Sequence, residues 1–180
     1  MKDKPPVAVL PLARPTFDVA YAQEKLAAML AALERTGRRI VGPSALLFDA
    51  DATRAAIAAL AAENSGQVLI LQVTFTDAAM TAEIAQAFDG PLAIWAVPEP
   101  RLGGRLRLNA LCGLNLAAHT LGLAGRAFGA LYAEPSAPGI GEELEALLSG
   151  QKDSVPRQLA DAAPPSAPAA AAGRRAVETL

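Results

Sequence analysis

The chain has 180 residues, sixteen Lys and Arg against eighteen Asp and Glu, a net charge of −2, and a 52% apolar composition. That length supports one domain with a full hydrophobic core and an appendage. The near balance of charge excludes a surface built for nucleic acid, which needs clustered basic side chains, and the single Cys excludes an internal disulfide.

No apolar run approaches the ~20 residues of a membrane span. The run Val7–Leu12 near the N-terminus is too short for a secretory core. These features predict a soluble, cytoplasmic protein with neither a membrane nor a nucleic-acid partner.

Val7–Leu12 reads as a short buried strand, with Pro11 near its end where a missing N–H is tolerated. Asp18 or Thr16 then caps a helix from Val19 to about Arg35, with Leu26, Met29, Leu30 and Leu33 at helical spacing. Arg39–Gly42 is a second strand, and Leu46, Leu47 and Phe48 pack from the loop that follows. Asp51 is the expected cap of a helix over Ala52–Ala62. Val68–Val73 is the clearest strand, apolar nearly throughout as in a central parallel strand buried on both faces. Thr76 or Asp77 caps a third helix reaching Phe88. Leu92–Val97 makes a fourth strand, Leu111–Leu123 a fourth helix, Arg126–Leu131 a fifth strand and Ile140–Leu148 a last amphipathic helix.

This alternation predicts an α/β fold: a Rossmann-like or flavodoxin-like three-layer sandwich with a parallel sheet of about five strands, over residues 1–149. Residues 150–172, rich in Pro and Ala without apolar periodicity, read as a disordered linker. Residues 173–180 resemble the start of a further element, as if more protein once followed.

Chemistry-bearing residues concentrate between Glu99 and His119, after the fourth strand. Walker-type and dinucleotide-type glycine loops are both missing, and no nucleophile elbow surrounds Ser44, Ser65 or Ser136. One His and one Cys make a poor metal set, so a complete site would need carboxylates from elsewhere. His119 reads as a partly buried, hydrogen-bonded helix residue or one at an interface or site, and Cys112 as a small core residue rather than a nucleophile. Arg105-Leu-Arg-Leu-Asn109 alternates polar and apolar, so an extended conformation puts Arg105, Arg107 and Asn109 on one face. That face is a solvated strand edge or, with Arg101, a polar strip for an anionic or polyhydroxylated ligand or a neighbouring subunit.

In a doubly wound sheet the loops after strands one, three and four open on one edge. They carry Arg14, Phe17, Phe75 and Glu99, with Trp95 just before, although its apolar run suits the core better. A cation, an aromatic platform and a carboxylate at one rim suit a sugar, which takes hydrogen bonds at its hydroxyls and stacking on its C–H face.

Arg14-Pro-Thr-Phe-Asp18, Gln72-Val-Thr-Phe-Thr-Asp77, Trp95-Ala-Val-Pro-Glu-Pro100 and Gly103–His119 occur here in an order and spacing that resembles the N-terminal domain of the L-fucose/L-arabinose isomerase superfamily, particularly its fucose-isomerase-like members. The resemblance implies an aldose–ketose isomerase in which a divalent metal, Mn²⁺, polarises sugar oxygens while acidic residues move a proton through an enediol. It implies a homo-oligomer in which the N-terminal domain covers a neighbouring subunit's sugar site, with Phe75 matching the residue that reaches the sugar and Arg14 and Trp95 as further contacts. The family's metal ligands, two acidic residues and a His, belong to later domains, so no catalytic residue, metal ligand or cofactor falls to this chain. Asn115-Leu116 replaces the Asn-Gln of arabinose isomerases. The resulting expectation is a substrate-covering and oligomerisation domain, inactive alone, with Arg14, Phe17, Phe75, Trp95, Glu99, Arg105 and Asn109 as sugar contacts. The alternatives are a free-standing sugar- or nucleotide-binding module and a non-catalytic oligomerisation domain.

Overall fold

The computed structural model describes residues 5–100, 103–151 and 153–154. The expected linker beyond Ser154, the element at 173–180 and Arg101 lie outside the described residues. Elements follow the order β1 (Val7–Leu12), α1 (Val19–Glu34), β2 (Ile40–Val41), α2 (Ala50–Leu60), β3 (Gln67–Gln72), α3 (Ala78–Ala87), β4 (Leu92–Ala96), α4 (Ala110–Leu123), β5 (Phe128–Tyr132), α5 (Ile140–Leu148) and β6 (Asp153–Ser154).

Every residue of β1, β3 and β4 is buried. Strands covered on both faces are continuous apolar runs, which is why these three were recognisable without alternation. The sheet order is β2-β1-β3-β4-β5-β6, with the first five strands parallel. This is the flavodoxin-like order of a doubly wound sheet. β6 pairs antiparallel with β5 through Phe128↔Ser154 and Gly129↔Asp153. The sheet thus extends by one short edge strand into the stretch expected to be linker.

Right-handed crossovers place α1 opposite α2, α3 and α4, because the chain moves one way from β1 to β2 and the other way thereafter. α5 touches α1 and β5, whereas α2, α3 and α4 form a continuous layer. Leu26, Met29 and Leu33 of α1 are buried beneath that helix, as are Leu144, Leu147 and Leu148 of α5.

Three helices start at aspartate caps that satisfy otherwise orphaned amides. Asp18 accepts from Tyr21 N at 3.0 Å and Asp77 from Ala79 N at 3.1 Å. The α2 cap is Asp49, accepting from Ala52 N at 2.7 Å, rather than Asp51, which sits in the first turn. A carboxylate inside that turn still favours the helix through its dipole. Among the described residues no helix is long and apolar enough to cross a membrane.

Candidate functional site

In a 2-1-3-4-5 sheet the connections leave β1 and β3 in opposite directions, which opens a crevice beyond their carboxyl ends. Ala13–Asp18 and Val73–Asp77 border it. The two loops are tied to each other: Arg14 N donates to Thr74 Oγ1 at 2.8 Å, and the Arg14 guanidinium pairs with the Asp77 carboxylate. Phe17 and Phe75 face each other across the crevice with ring centroids 6.2 Å apart and planes tilted by 57°.

The segment 103–109 lies over this crevice instead of forming the extended strip expected from its alternation. It is irregular, and Gly103 and Gly104 take φ of +69° and +76°, a region that favours glycine. Asp18 N donates to Arg107 O at 3.0 Å and Phe75 N to Leu108 O at 2.8 Å, so the segment bridges both loops. Leu108 is fully buried, closing the crevice from above.

Glu99 holds the segment in place. Its Oε1 accepts from Arg107 N at 2.5 Å, and its Oε2 from Leu108 N at 3.0 Å and Asn109 N at 2.7 Å. Both oxygens are therefore engaged by backbone, and Glu99, expected as a sugar contact, acts as a clamp on its own chain. Partial burial raises its pKa, but the amides of Asn109, Arg107 and Leu108 and the Arg107 charge outweigh that and hold it below the ordinary 4.5. Asn109 ends the segment in the left-handed region at φ +51°, and its side chain makes no cap bond to α4.

Arg107 Nε donates to Asp18 Oδ2 at 2.9 Å, and its guanidinium lies 3.8 Å from the centroid of the Tyr21 ring. The Tyr21 amide and Arg107 hold the Asp18 carboxyl below its ordinary 3.8. Sequence reasoning missed this trio. The available signal was the spacing of Asp18 and Tyr21, three apart at the start of a helix and so on one face.

Both carboxylates have depressed folded pKa values, so their contribution to stability is complete above their unfolded values. It is lost as pH falls through the folded ones. Stability to urea is expected to fall as pH is lowered from about 5. Glu99→Gln should make that decline shallower, and an unchanged profile in the variant would show that the Glu99 carboxylate does not contribute to it.

Trp95, expected among the sugar contacts, is fully buried and its Nε1 donates to Ala133 O at 3.0 Å. It supports the rim from within the sheet. Arg105 is exposed and donates to Thr16 O at 3.4 Å. A depression of about 310 Å³ is lined by Thr16, Phe17, Asp18, Arg105, Leu106 and Arg107.

Beneath the Phe75 loop, fully buried Gln72 ends β3 and donates to Thr74 O at 2.6 Å and Thr76 Oγ1 at 2.9 Å. A Cβ on Gly113 of α4 would lie 2.7 Å from Gln72 Nε2 and 3.0 Å from its Cδ. Gly113→Ala is therefore expected to cost about 1–3 kcal/mol by overpacking. Chemical denaturation should show it, together with altered amide shifts at Phe75; wild-type stability would mean that Gln72 yields freely.

Cys112, expected as a small core residue, and His119, expected to be partly buried or at an interface or site, are both exposed. They lie on one face of α4, about 10 Å apart along its axis, too far to share an ion. Among the described residues no group of three or more His, Cys, Asp or Glu converges on a point that could hold a metal. Asp18, Asp77 and Glu99 are already engaged by arginines or amides. The described residues do not fit a divalent metal, and no metal step is assigned to them.

Residues 8–150 match the protein family described as fucose/sulfoquinovose isomerase, N-terminal domain. The chain belongs to the fucose/sulfoquinovose isomerase family. Relatives of that family include the sulfoquinovose isomerase of Priestia megaterium, 27% identical over 138 residues that make up 77% of this chain and 31% of that protein. The sulfoquinovose isomerase of Clostridium sp. (strain MSTE9) is 30% identical over 145 residues, 79% of this chain and 32% of that protein. That of Alkalicoccus urumqiensis is 27% identical over 142 residues. The chain thus spans about a third of the length of these curated family members. The matched region contains every rim residue described above.

Proposed function

We propose that this chain provides the substrate-covering N-terminal domain of an aldose–ketose sugar isomerase that works as a homo-oligomer in the cytoplasm. In this reading the Phe17–Phe75 pair and the polar groups around it close over a sugar held by a neighbouring subunit. The metal, Mn²⁺, and the acidic proton-transfer residues come from the remainder of the isomerase. The family match over residues 8–150 carries the proposal. Sugars named by the family and its relatives, fucose and sulfoquinovose, are the candidate substrates.

The rim supports a covering role over that of a self-sufficient binding module. Its switch-point crevice, where α/β sheets usually seat a ligand, is closed by Leu108, and the remaining depression is formed by surface loops. Such a surface contributes contacts to a sugar and leaves the chemistry to another domain. Purified 1–180 is expected to give no ketose from L-fucose, L-arabinose or sulfoquinovose in the presence of Mn²⁺. Clear turnover by the isolated chain would overturn the proposal.

A further inference from the structure

β3 is apolar from Val68 to Leu71 and ends on Gln72, whose side chain is fully buried. The Gln72 amide donates to Thr74 O and to Thr76 Oγ1, on either side of Phe75. A carbonyl only accepts, so Thr74 O fixes which way round the amide lies. Gln72 Oε1 is then left without a hydrogen-bond partner among the described residues. A buried oxygen without a donor costs stability, and a methionine of similar shape would avoid that cost. What the amide does that methionine cannot is to hold both neighbours of Phe75 from one rigid group. Thr74 and Thr76 are buried in turn. Thr74 Oγ1 accepts from Arg14 N at 2.8 Å and donates to Phe75 O at 3.1 Å, while Phe75 N donates to Leu108 O at 2.8 Å. On the α4 side, a Cβ on Gly113 would stand 2.7 Å from Nε2 and 3.2 Å from Cγ, so the helix backs closely onto the amide.

Resting on the sugar-covering reading, we propose that Gln72 is a positioning residue for the isomerisation, one that sets where the Phe75 ring meets the sugar. Buried beneath the loop, Gln72 touches no sugar itself and acts through Phe75 alone. Segment 103–109 holds the Phe75 main chain from above and Gln72 holds its two neighbours from below. A contact misplaced by about 1 Å loses much of its effect on rate. Releasing Thr74 and Thr76 therefore costs up to what Phe75 contributes, and no more.

The test is a double-mutant cycle of Gln72→Met and Phe75→Ala, made in the Clostridium sp. sulfoquinovose isomerase with residues 8–150 in place of its own N-terminal region. Gln72→Met is expected to lower kcat/KM by up to about tenfold, the limit set by Phe75 itself, and to have no further effect once Phe75 is alanine. A side chain that serves packing alone would cost the same in both backgrounds. In 1–180, Gln72→Met should quicken amide exchange at Phe75 and leave α1 as it was. If Gln72→Met does not assemble, Gly113→Ala, which presses on the same amide from α4, is read in the same cycle with the same expectation. Full turnover in Gln72→Met beside an impaired Phe75→Ala would overturn the role of Gln72 and leave the covering reading intact. Equal losses in both backgrounds, or unchanged exchange at Phe75, would also overturn it. Indifference to Phe75→Ala itself would overturn the covering reading and the proposal with it.

Discussion

Replacing Trp95 by alanine is expected to lower stability by about 3–5 kcal/mol, the cost of removing a large aromatic side chain from a packed core. Trp95 is the largest fully buried side chain of the domain and lies in β4 between Leu71 of β3 and Leu131 of β5. Gln72, the residue after Leu71, meets Gly113 of α4, so by strand alternation Leu71, Trp95 and Leu131 face the layer of α1 and α5. The void would open in the middle of the sheet, where neighbouring strands cannot close in without breaking their ladders. Loss of the indole would also leave Ala133 O, 3.0 Å from Nε1, without that donor. Trp95→Phe should cost less, about 1–3 kcal/mol, because it keeps most of the apolar volume and loses the hydrogen bond. Urea denaturation followed by circular dichroism checks both. A Trp95→Ala protein as stable as the wild type would place Trp95 on the surface and contradict the packing described here.

Replacing Glu99 by alanine is expected to cost about 3 kcal/mol, since hydrogen bonds to a charged acceptor contribute roughly 1.5–3 kcal/mol each and do not add fully. The change removes the one acceptor that serves Arg107, Leu108 and Asn109 N–H together. Its effect should be regional. Amide exchange at those residues and at Phe75, which donates to Leu108 O, should quicken well before α1 or β1 responds. Glu99→Gln keeps one good acceptor and should lie between the two. Uniform exchange changes across the domain, or none in segment 103–109, would contradict the clamp.

The contrast between these sites explains what could be read from sequence. β1 and α5 were found with their full ranges, Val7–Leu12 and Ile140–Leu148. The first is an unbroken apolar run and the second has a clear polar face, so local pattern and burial agree. Segment 103–109 was misread because Arg105-Leu-Arg-Leu-Asn109 has the period of a strand, while its conformation is decided by a carboxylate several residues upstream and by two left-handed glycines. Period alone carries no information about such a contact. α4 was located correctly but not oriented. Its sequence, ALCGLNLAAHTLGL, contains no Asp, Glu, Lys or Arg, so no charged stripe marked which side faces water. Cys112 was therefore assigned to the core and His119 to a partly buried position. The rim residues Arg14, Phe17 and Phe75 followed from topology, because loops after β1 and β3 must share one edge; the ion pairs of Arg14 and Arg107 depend on side-chain geometry and were not visible.

A domain exchange tests whether this domain covers the sugar site of an isomerase. Residues 8–150 would replace the equivalent N-terminal region of the Clostridium sp. sulfoquinovose isomerase, and isomerisation would be measured after confirming that the chimera assembles to the size of its parent. The chimera is expected to turn over sugar, and Phe75→Ala within it to lower kcat/KM by about tenfold, the loss of one aromatic contact. A chimera of parental size without turnover, or one indifferent to Phe75→Ala, would contradict the covering role.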